Sequence, residues 1–456
     1  MKKRKNILFL MSDEHRPDIL GFEGNGVVRT PNLDRLASEG IYFRNAYCTS
    51  PVCVPSRQSF LSGKLPRSIG CLKFGDTFNS DITTIPEHLA KHGYHTVAFG
   101  KMHFEDVDQM HGWLERPSGD LHTKILPMTD CEKRPGLSKQ EKAEKGLSFW
   151  GPKKEIRNAR VIGEREGKRG KDLRYTEHAC DFLREYFADS AYDRPRSDQP
   201  LCFALSLMNP HYPFQCTKKE FEYYLTRVKP FLEGPPNDHP CHQQYNVVVG
   251  EDVCEREVYR ATAAYYGQVE FIDTMYGKVL ETLEELNALD DFIIIYWSDH
   301  GDMLGEFGCW EKKQFYDACS RVSLIIHDPS KPQGKQIKEV VSLLDLFPTI
   351  CDLAGIPAPP DLEGESLAPL MEGSAKNWKN EAVSELWSWY HGSGGFMIRK
   401  NNLKYVRYHH LDYPEQLFDM EKYSREDKNL IDEPEYKEAL EDLRKRGDAL
   451  PPPKEI

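Results

Sequence analysis

No segment of this 456-residue chain approaches the roughly 20 consecutive apolar residues needed to cross a bilayer. No two of its 12 cysteines stand at C-x-x-C spacing, and they are scattered along the chain. That argues against a disulfide scaffold and for mostly free thiols. Cys48 and Cys53 lack a second ligand pair at zinc-finger spacing, so a shared zinc is set aside. Basic residues are in deficit, 60 Lys and Arg against 72 Asp and Glu, giving a formal charge of −12. Nucleic acid is therefore not an expected partner. An anionic small molecule is still allowed, because a few local cations and a metal reverse the field inside one pocket. No cleavable leader is expected either. Lys2 to Lys5 are basic, but the apolar run Ile7 to Met11 is short and enters Ser12-Asp13-Glu14 without a small-residue cleavage site. The expectation is a buried first strand in a cytoplasmic protein that uses no membrane. No internal repeat is present.

What is there is an alternation of strands and helices. Asn6 to Ser12, Tyr94 to Phe99, Leu201 to Leu207, Asp291 to Trp297 and Val322 to Ile326 read as strands. Asn32 to Gly40, Pro86 to His92, Val258 to Leu286 and Val341 to Ala354 read as helices, several closed by glycine. This order predicts an α/β fold, a large and mostly parallel sheet sandwiched by helices. Lys124 to Arg174 is rich in Lys, Glu, Gly and Pro and reads as a surface insertion. After a Pro-rich joint at Pro357 to Leu362, Met397 to Tyr408 alternates around a turn at Asn401-Asn402, and Tyr436 to Arg446 reads as a helix. We therefore expect a catalytic domain over 1–374, with the insertion at about 124–174. A smaller α+β subdomain with a short antiparallel sheet is expected over 375–456.

Four strands are each followed at once by polar groups. Asp13 and Glu14 follow the first, Lys101 and His103 the second, Asn209 and His211 the third, Asp299 and His300 the fourth. Ligands in open α/β sheets sit at these carboxyl ends. Asp13 with Asp299 suits a hard cation, calcium or magnesium rather than zinc, and His300 is a ligand or a donor to bound substrate. Singly, each has a plainer reading: a cap, a turn residue, a surface lysine or a structural histidine. It is their recurrence at four strand ends that packing does not explain.

Cys53-Val54-Pro55-Ser56-Arg57 carries the sharpest signal. Pro55 fits the first turn of a helix, which puts Cys53 at a helix N-terminus that favours anions. Arg57 adds a fixed, forked charge for a sulfate or phosphate. The residues alone give an activated cysteine beside an anion hole, or else one more buried cysteine.

This run, continued by Ser59-Phe60-Leu61-Ser62-Gly63, resembles the C-x-P-S-R and S-x-L-T-G signature of formylglycine-dependent type I sulfatases, in the alkaline phosphatase superfamily. The likeness spans nearly the whole chain in order. Asn6 to Asp18 resembles the family's metal-binding first strand, Gly100-Lys101-Met102-His103 its G-K-x-H and Ser298-Asp299-His300-Gly301 its S-D-H-G. Lys312 with Tyr316 matches K-x-x-x-Y, Ser342 to Ile356 the D-L-F-P-T helix, and Gln416 to Asp419 the L-F-D turn. Gly100 to Trp113 is most similar to choline-sulfatase-like members. Two positions depart: Glu14 stands where many members have Asp, and Ser323 where Pro follows Arg-Val.

The resemblance implies a sulfatase that hydrolyses a sulfate monoester to alcohol and inorganic sulfate. It implies that a separate maturation enzyme oxidises Cys53 to formylglycine, and that one Ca2+ per chain (or Mg2+ or Mn2+) is held by Asp13, Asp299, His300, position 53 and Glu14. One hydroxyl of the hydrated formylglycine then attacks sulfur, and the second later expels sulfate. Arg57, Lys101 and Lys312 hold the sulfuryl oxygens, His211 or Lys312 protonates the departing alcohol, and His103 takes the proton in the second step. For the substrate, a choline, sugar or aryl sulfate all stay open. Trp387, Trp389 and Tyr390 near Glu385 and His391 read either as a core plug or as an aromatic wall able to hold a cation or a sugar. A homo-oligomer is left open as well. The rival readings are a phosphonate monoester or phosphodiester hydrolase with the same machinery, a phosphotransferase using unmodified Cys53, and a binding protein without catalysis.

Overall fold

A strand buried on both faces must be apolar at every position, and its alternate residues feed two different cores. In the first strand Ile7, Phe9 and Met11 enter one core while Leu8 and Leu10 enter the other. The same split divides Ile293, Ile295 and Trp297 from Ile294 and Tyr296. The computed structural model describes residues 4–120, 152–188, 199–232, 239–240, 245–328, 331, 334–387, 394–410 and 412–453.

In chain order the first strands are β1 (Asn6–Asp13), β2 (Ile41–Tyr47), β3 (His95–Gly100), β4 (Glu115–Gly119) and the two-residue β5 (Arg160–Val161). Then come β6 (Leu201–Pro210), β7 (Gln215–Cys216), β8 (Phe292–Ser298), β9 (Arg321–His327) and β10 (Lys335–Ser342). Eight of these form the central sheet in the order β10-β2-β9-β8-β1-β6-β3-β4. Only the two pairings made by β9 are antiparallel. The fold is the expected α/β sandwich. Helices Cys53–Ser62, Ile85–Lys91 and Leu346–Ala354 cover one face; Pro31–Glu39, Gly167–Phe187 and Glu255–Glu285 cover the other. A second sheet of β11 (Glu381–Leu386), β12 (Gly395–Lys400), β13 (Leu403–Tyr408) and β14 (Gln416–Asp419) is antiparallel throughout. Its hairpin turns at Asn401, in the left-handed region at φ 52°. The Glu385 N–H of this sheet donates to the Thr49 carbonyl at 2.8 Å, just before the Cys53 helix.

Two expectations need correction. Val341 and Ser342 end β10 rather than open a helix. The Ser342 hydroxyl accepts from Leu344 N–H at 3.2 Å while Asp345 accepts from Ser342 N–H at 2.8 Å, so the helical turn starts only after this reciprocal cap. The stretch read as an insertion also holds regular structure where it is described. Pro152–Arg157 is helical, and Gly167–Phe187 is a 21-residue helix packed on β6; 124–151 lie outside the described residues.

The Cys53 helix is anchored from its far end. Phe60 lies 4.5 Å from Trp297 and 6.1 Å from Phe9, ring centre to ring centre, with Phe9 and Trp297 themselves 5.4 Å apart. Trimming that buried ring leaves a cavity under the helix. Phe60→Ala should cost about 3–5 kcal/mol of unfolding free energy, read from the denaturant midpoint. Phe60→Leu should cost under about 1.5 kcal/mol; equal midpoints for the two variants would refute the anchor.

Candidate active site

Because β1, β3, β6 and β8 run parallel, their carboxyl ends lie on one edge. Backbone geometry then turns the chain sharply into the site. Gly100 has φ 87°, and a Cβ there would stand 1.9 Å from the Ser206 carbonyl oxygen. A Cβ on Gly301 would stand 2.0 Å from the Ala318 carbonyl oxygen, so both motif glycines mark places where one backbone presses on another. Glu14 and His103 take positive φ, 70° and 60°, as non-glycine residues next to strand ends.

Cys53 opens its helix, and Val52 before it is extended and gives no side-chain cap. The first-turn N–H groups therefore face the site as an anion-favouring end. Cys53 Sγ, which marks where a nucleophilic oxygen would stand, lies 3.5 Å from Asp13 Oδ1, 3.2 Å from His300 Nε2 and 3.2 Å from Lys312 Nζ. His103 and His211 also lie beside Cys53. Arg57, one turn on, is fully buried. Its Nε donates to Asp299 Oδ2 at 2.7 Å, and its Nη1 donates to the Lys101 carbonyl at 2.7 Å and Ser206 Oγ at 2.9 Å. Asp299 Oδ1 accepts from Glu14 N–H at 3.1 Å and His300 N–H at 2.9 Å. Lys101 pairs with Asp13, and Lys312 Nζ donates to Glu14 Oε2 at 3.1 Å. His211 Nε2 stands 3.3 Å from the same Glu14 oxygen. Asp13, Glu14, Cys53, Arg57, Lys101, His211, Asp299, His300 and Lys312 are thus in one cluster, with His103 beside it.

The charges act on one another. Burial works against an ionised Cys53, but Lys101, Lys312 and His300 outweigh it and hold the thiol well below its usual range. Burial and Cys53 push Asp13 up, yet Lys101, His211 and Lys312 hold it below the carboxylate range. Burial raises Lys312's cost of charge, and Cys53, Glu14 and Asp13 more than offset it. Glu14 goes the other way: burial, reinforced by Asp302 and Asp13, raises it despite Lys312.

This donor set fits a divalent cation. Asp13, Cys53, Asp299 and His300 present ligand atoms within 4.8 Å of one another, and so do Asp13, Glu14 and His211. Glu14 Oε1 and Asp302 Oδ2 are buried without a hydrogen-bond donor. Carboxylates crowded in this way call for added positive charge.

The sequence reading passed over several supports. Asp120 accepts the N–H groups of Met102 and His103 at 2.7 and 2.9 Å, holding the G-K-x-H turn. Asp172 accepts those of Met208 and Asn209 at the end of β6, each at 2.9 Å. Lys168 Nζ lies 2.8 Å from His211 Nδ1. A basic residue four before an acid on one helix, Lys168 and Asp172, is the signal that could have found the last two. The aromatic cluster fares differently. Glu385 pairs with Arg67 and accepts from Trp387 Nε1 at 3.3 Å, while Trp387 stacks on His409 at 4.3 Å. The acid is taken by Arg67, and Trp389, Tyr390 and His391 lie outside the described residues.

The family model described as Sulfatase matches residues 5–356. That for the C-terminal part of N-sulphoglucosamine sulphohydrolase matches residues 305–450. The chain is 31% identical over 448 residues to the choline-sulfatase of Rhizobium meliloti (strain 1021), covering 94% of this chain and 83% of that protein. It is 31% identical over 466 residues to the arylsulfatase of Clostridium perfringens (strain 13 / Type A), covering 97% and 93%. Among solved structures, a phosphonate monoester hydrolase from Silicibacter pomeroyi superposes with a TM-score of 0.77 at 22% identity, covering 97% of this chain and 94% of that one, a likeness of fold.

A cation that binds only the folded site must stabilise it. Calcium or manganese at a hundredfold excess over its dissociation constant should add about 2.7 kcal/mol, seen as a rise in melting temperature. Asp13→Asn and Asp299→Asn should remove most of that rise. An equal rise in wild type and both variants would place the cation elsewhere.

Proposed function

The chain belongs to the sulfatase family and is a sulfuric ester hydrolase, and from that premise we propose that it cleaves a small sulfate monoester through formylglycine at position 53 with one divalent cation. The observation that carries this reading is the position of Cys53 Sγ, within 3.5 Å of Asp13, His300 and Lys312 at once. A thiol there would form a stable sulfur adduct with no easy exit. Formylglycine, when present, supplies as its hydrate one hydroxyl to attack sulfur and a second to expel sulfate afterwards. The cation, when bound, supplies charge that acidifies the attacking hydroxyl. Asp13, Asp299, His300 and position 53 would hold that cation, calcium, magnesium or manganese. Glu14, which stands where many members have Asp, would complete the set from the Asp13 side.

The chain's own residues do the rest. The Arg57 guanidinium and the Lys101 and Lys312 ammoniums bind the sulfuryl oxygens and balance charge as the sulfur–oxygen bond to the alcohol breaks. His211 or Lys312 gives the departing alcohol oxygen its proton. His103, beside Cys53 and 3.3 Å from Glu105, receives the proton of the second hydroxyl as sulfate leaves. The substrate class is a small sulfated molecule, a choline, sugar or aryl sulfate; the similar proteins include a choline-sulfatase and an arylsulfatase. We further place residues 1–374 in the catalytic domain and 375–456 in a smaller subdomain. A maturation enzyme installs the aldehyde. Ten described cysteines are free, which suits a reducing, cytoplasmic setting.

Two measurements test this. In an active native preparation the peptide spanning residue 53 should be lighter than its cysteine form; full activity with an intact cysteine would overturn the mechanism. Cys53→Ala should lower kcat/KM by more than about a thousandfold, about 4 kcal/mol of transition-state stabilisation. The rival phosphonate monoester hydrolase is separated by parallel turnover of aryl sulfate and aryl phosphonate monoester, with the sulfate expected to react more efficiently.

A further inference from the structure

The cluster around position 53 is nearly shut away from water. His103, beside Cys53, is 5% exposed, yet the ring whose edge meets it, Phe74 at 5.2 Å between centres, is 54% exposed. A single apolar side chain on a surface needs no explanation by itself. This one marks the border between a buried charged site and solvent.

The backbone holds the ring out. Asp76 Oδ2 accepts from the N–H groups of Leu72 at 2.9 Å and Lys73 at 3.0 Å, while Asp76 N–H donates to the Lys73 carbonyl at 3.2 Å. That closes a turn over Lys73, Phe74, Gly75 and Asp76, with Gly75 in third place at φ 88°. Phe74 stands at its tip. Behind the tip, the chain is fastened to the segment that follows His103. Phe78 N–H donates to Asp106 Oδ2 at 3.0 Å, and the rings of Phe78 and Phe104 pack on His111 at 4.8 and 4.4 Å. A ring on a turn tied down in this way is a surface fixed before any ligand arrives. The aromatic ring on the other flank is different. Tyr212, 4.1 Å from His211, has Lys168 Nζ and Lys312 Nζ over its face at 5.4 and 5.5 Å. Its face serves ammonium groups, whereas that of Phe74 meets solvent.

We infer that Phe74 is a specificity-determining residue for sulfate ester hydrolysis: its exposed face stacks on a ring in the alcohol part of the substrate. In-line attack by a group at position 53 sends the alcohol oxygen away from the Cys53 helix, toward the rim of the site. An aryl ring, or the C–H face of a sugar ring, offers the flat uncharged surface that matches a phenyl face, and an acyclic alcohol does not. The contact is remote from the breaking bond, so it favours bound substrate and transition state alike. The inference rests on the proposed reaction at position 53, and its test keeps the two apart.

Matured enzyme is assayed with 4-nitrophenyl sulfate, a monosaccharide sulfate and the acyclic choline sulfate, with inorganic sulfate as inhibitor. Phe74→Ala should raise KM about 3- to 10-fold for a ring-bearing ester and leave kcat within about twofold of wild type. Which of the two rings responds identifies the ligand. Phe74→Trp should keep KM at or below the wild-type value. KM for choline sulfate and the inhibition constant of inorganic sulfate should not move. Leu114→Ala is the matched control. Leu114 is 53% exposed, but its N–H donates to the Thr96 carbonyl at the amino end of β3, across the sheet from the site. It should change neither constant, and both Ala variants should melt near the wild-type temperature. An unmoved KM for both ring-bearing esters, or an equal rise for choline sulfate, would overturn the inference alone. So would a fall in kcat on every ester with KM unchanged, which would show that the ring merely props His103. Wild-type enzyme that hydrolyses none of these esters, or hydrolyses them with an intact cysteine at position 53, would defeat the proposed reaction and the inference with it.

Discussion

The salt bridge between Arg57 and Asp299 ties the helix that carries position 53 to the end of the central strand β8. Both side chains are about 1% exposed, so neither charge has water to fall back on. Removing one partner of such a pair costs about 3–5 kcal/mol, because the other is left charged and dry. The pair is also a hub. Arg57 reaches the Lys101 carbonyl and Ser206, while Asp299 takes the N–H groups of Glu14 and His300. One buried contact thus fixes the ends of β1, β3, β6 and β8 relative to the nucleophile. Phe60 against Trp297 does the same from the apolar side. A polar and an apolar anchor within one ten-residue helix leave Cys53 little room to move.

Around that hub the charges nearly balance. Asp13, Glu14 and Asp299 face Lys101, Lys312 and Arg57, each pair in direct contact. Such a cluster is stable as it stands only if every group stays paired. A cation held by these carboxylates would compete with Lys101 and Lys312 for them and would leave ammonium hydrogens for an anion, so the pairs of this set are exchangeable within a fixed total of charges.

Much of this was legible because strand ends declare themselves. Asp13, Lys101, Asn209 and Asp299 are among the first polar residues after apolar runs, and parallel pairing brings such residues to one edge whatever lies between them in the chain. Cys53 was legible through Pro55 and Arg57, whose helical spacing puts nucleophile and guanidinium one turn apart. The rest was hidden for physical reasons. The helix at Gly167 begins with two glycines among three basic residues, and its apolar face starts only at Leu173, so Lys168 read as loop. Val341 runs on in the sequence into the apolar Leu343 to Leu346, and only the cap at Ser342 separates strand from helix. Glu385 looked available for a ligand because its partner, Arg67, lies 318 positions away.

The backbone carries a further constraint that composition could not reveal. Glu14, His103, Glu311 and Lys313 all take positive φ, a region that side chains other than glycine's adopt at a cost. All four flank residues of the cluster, and each is held by something packed elsewhere. Glu14 N–H is bound to Asp299, His103 N–H to Asp120 and Lys313 N–H to the Pro51 carbonyl at 3.1 Å, while the Glu311 carbonyl accepts from Met303 N–H at 2.9 Å. The sheet and its two cores thus stabilise turns that would not persist in a free peptide, and those turns aim the side chains before any substrate arrives. Catalytic geometry of this kind costs stability locally and is supported globally, so the apolar strands and the charged edge work as one device.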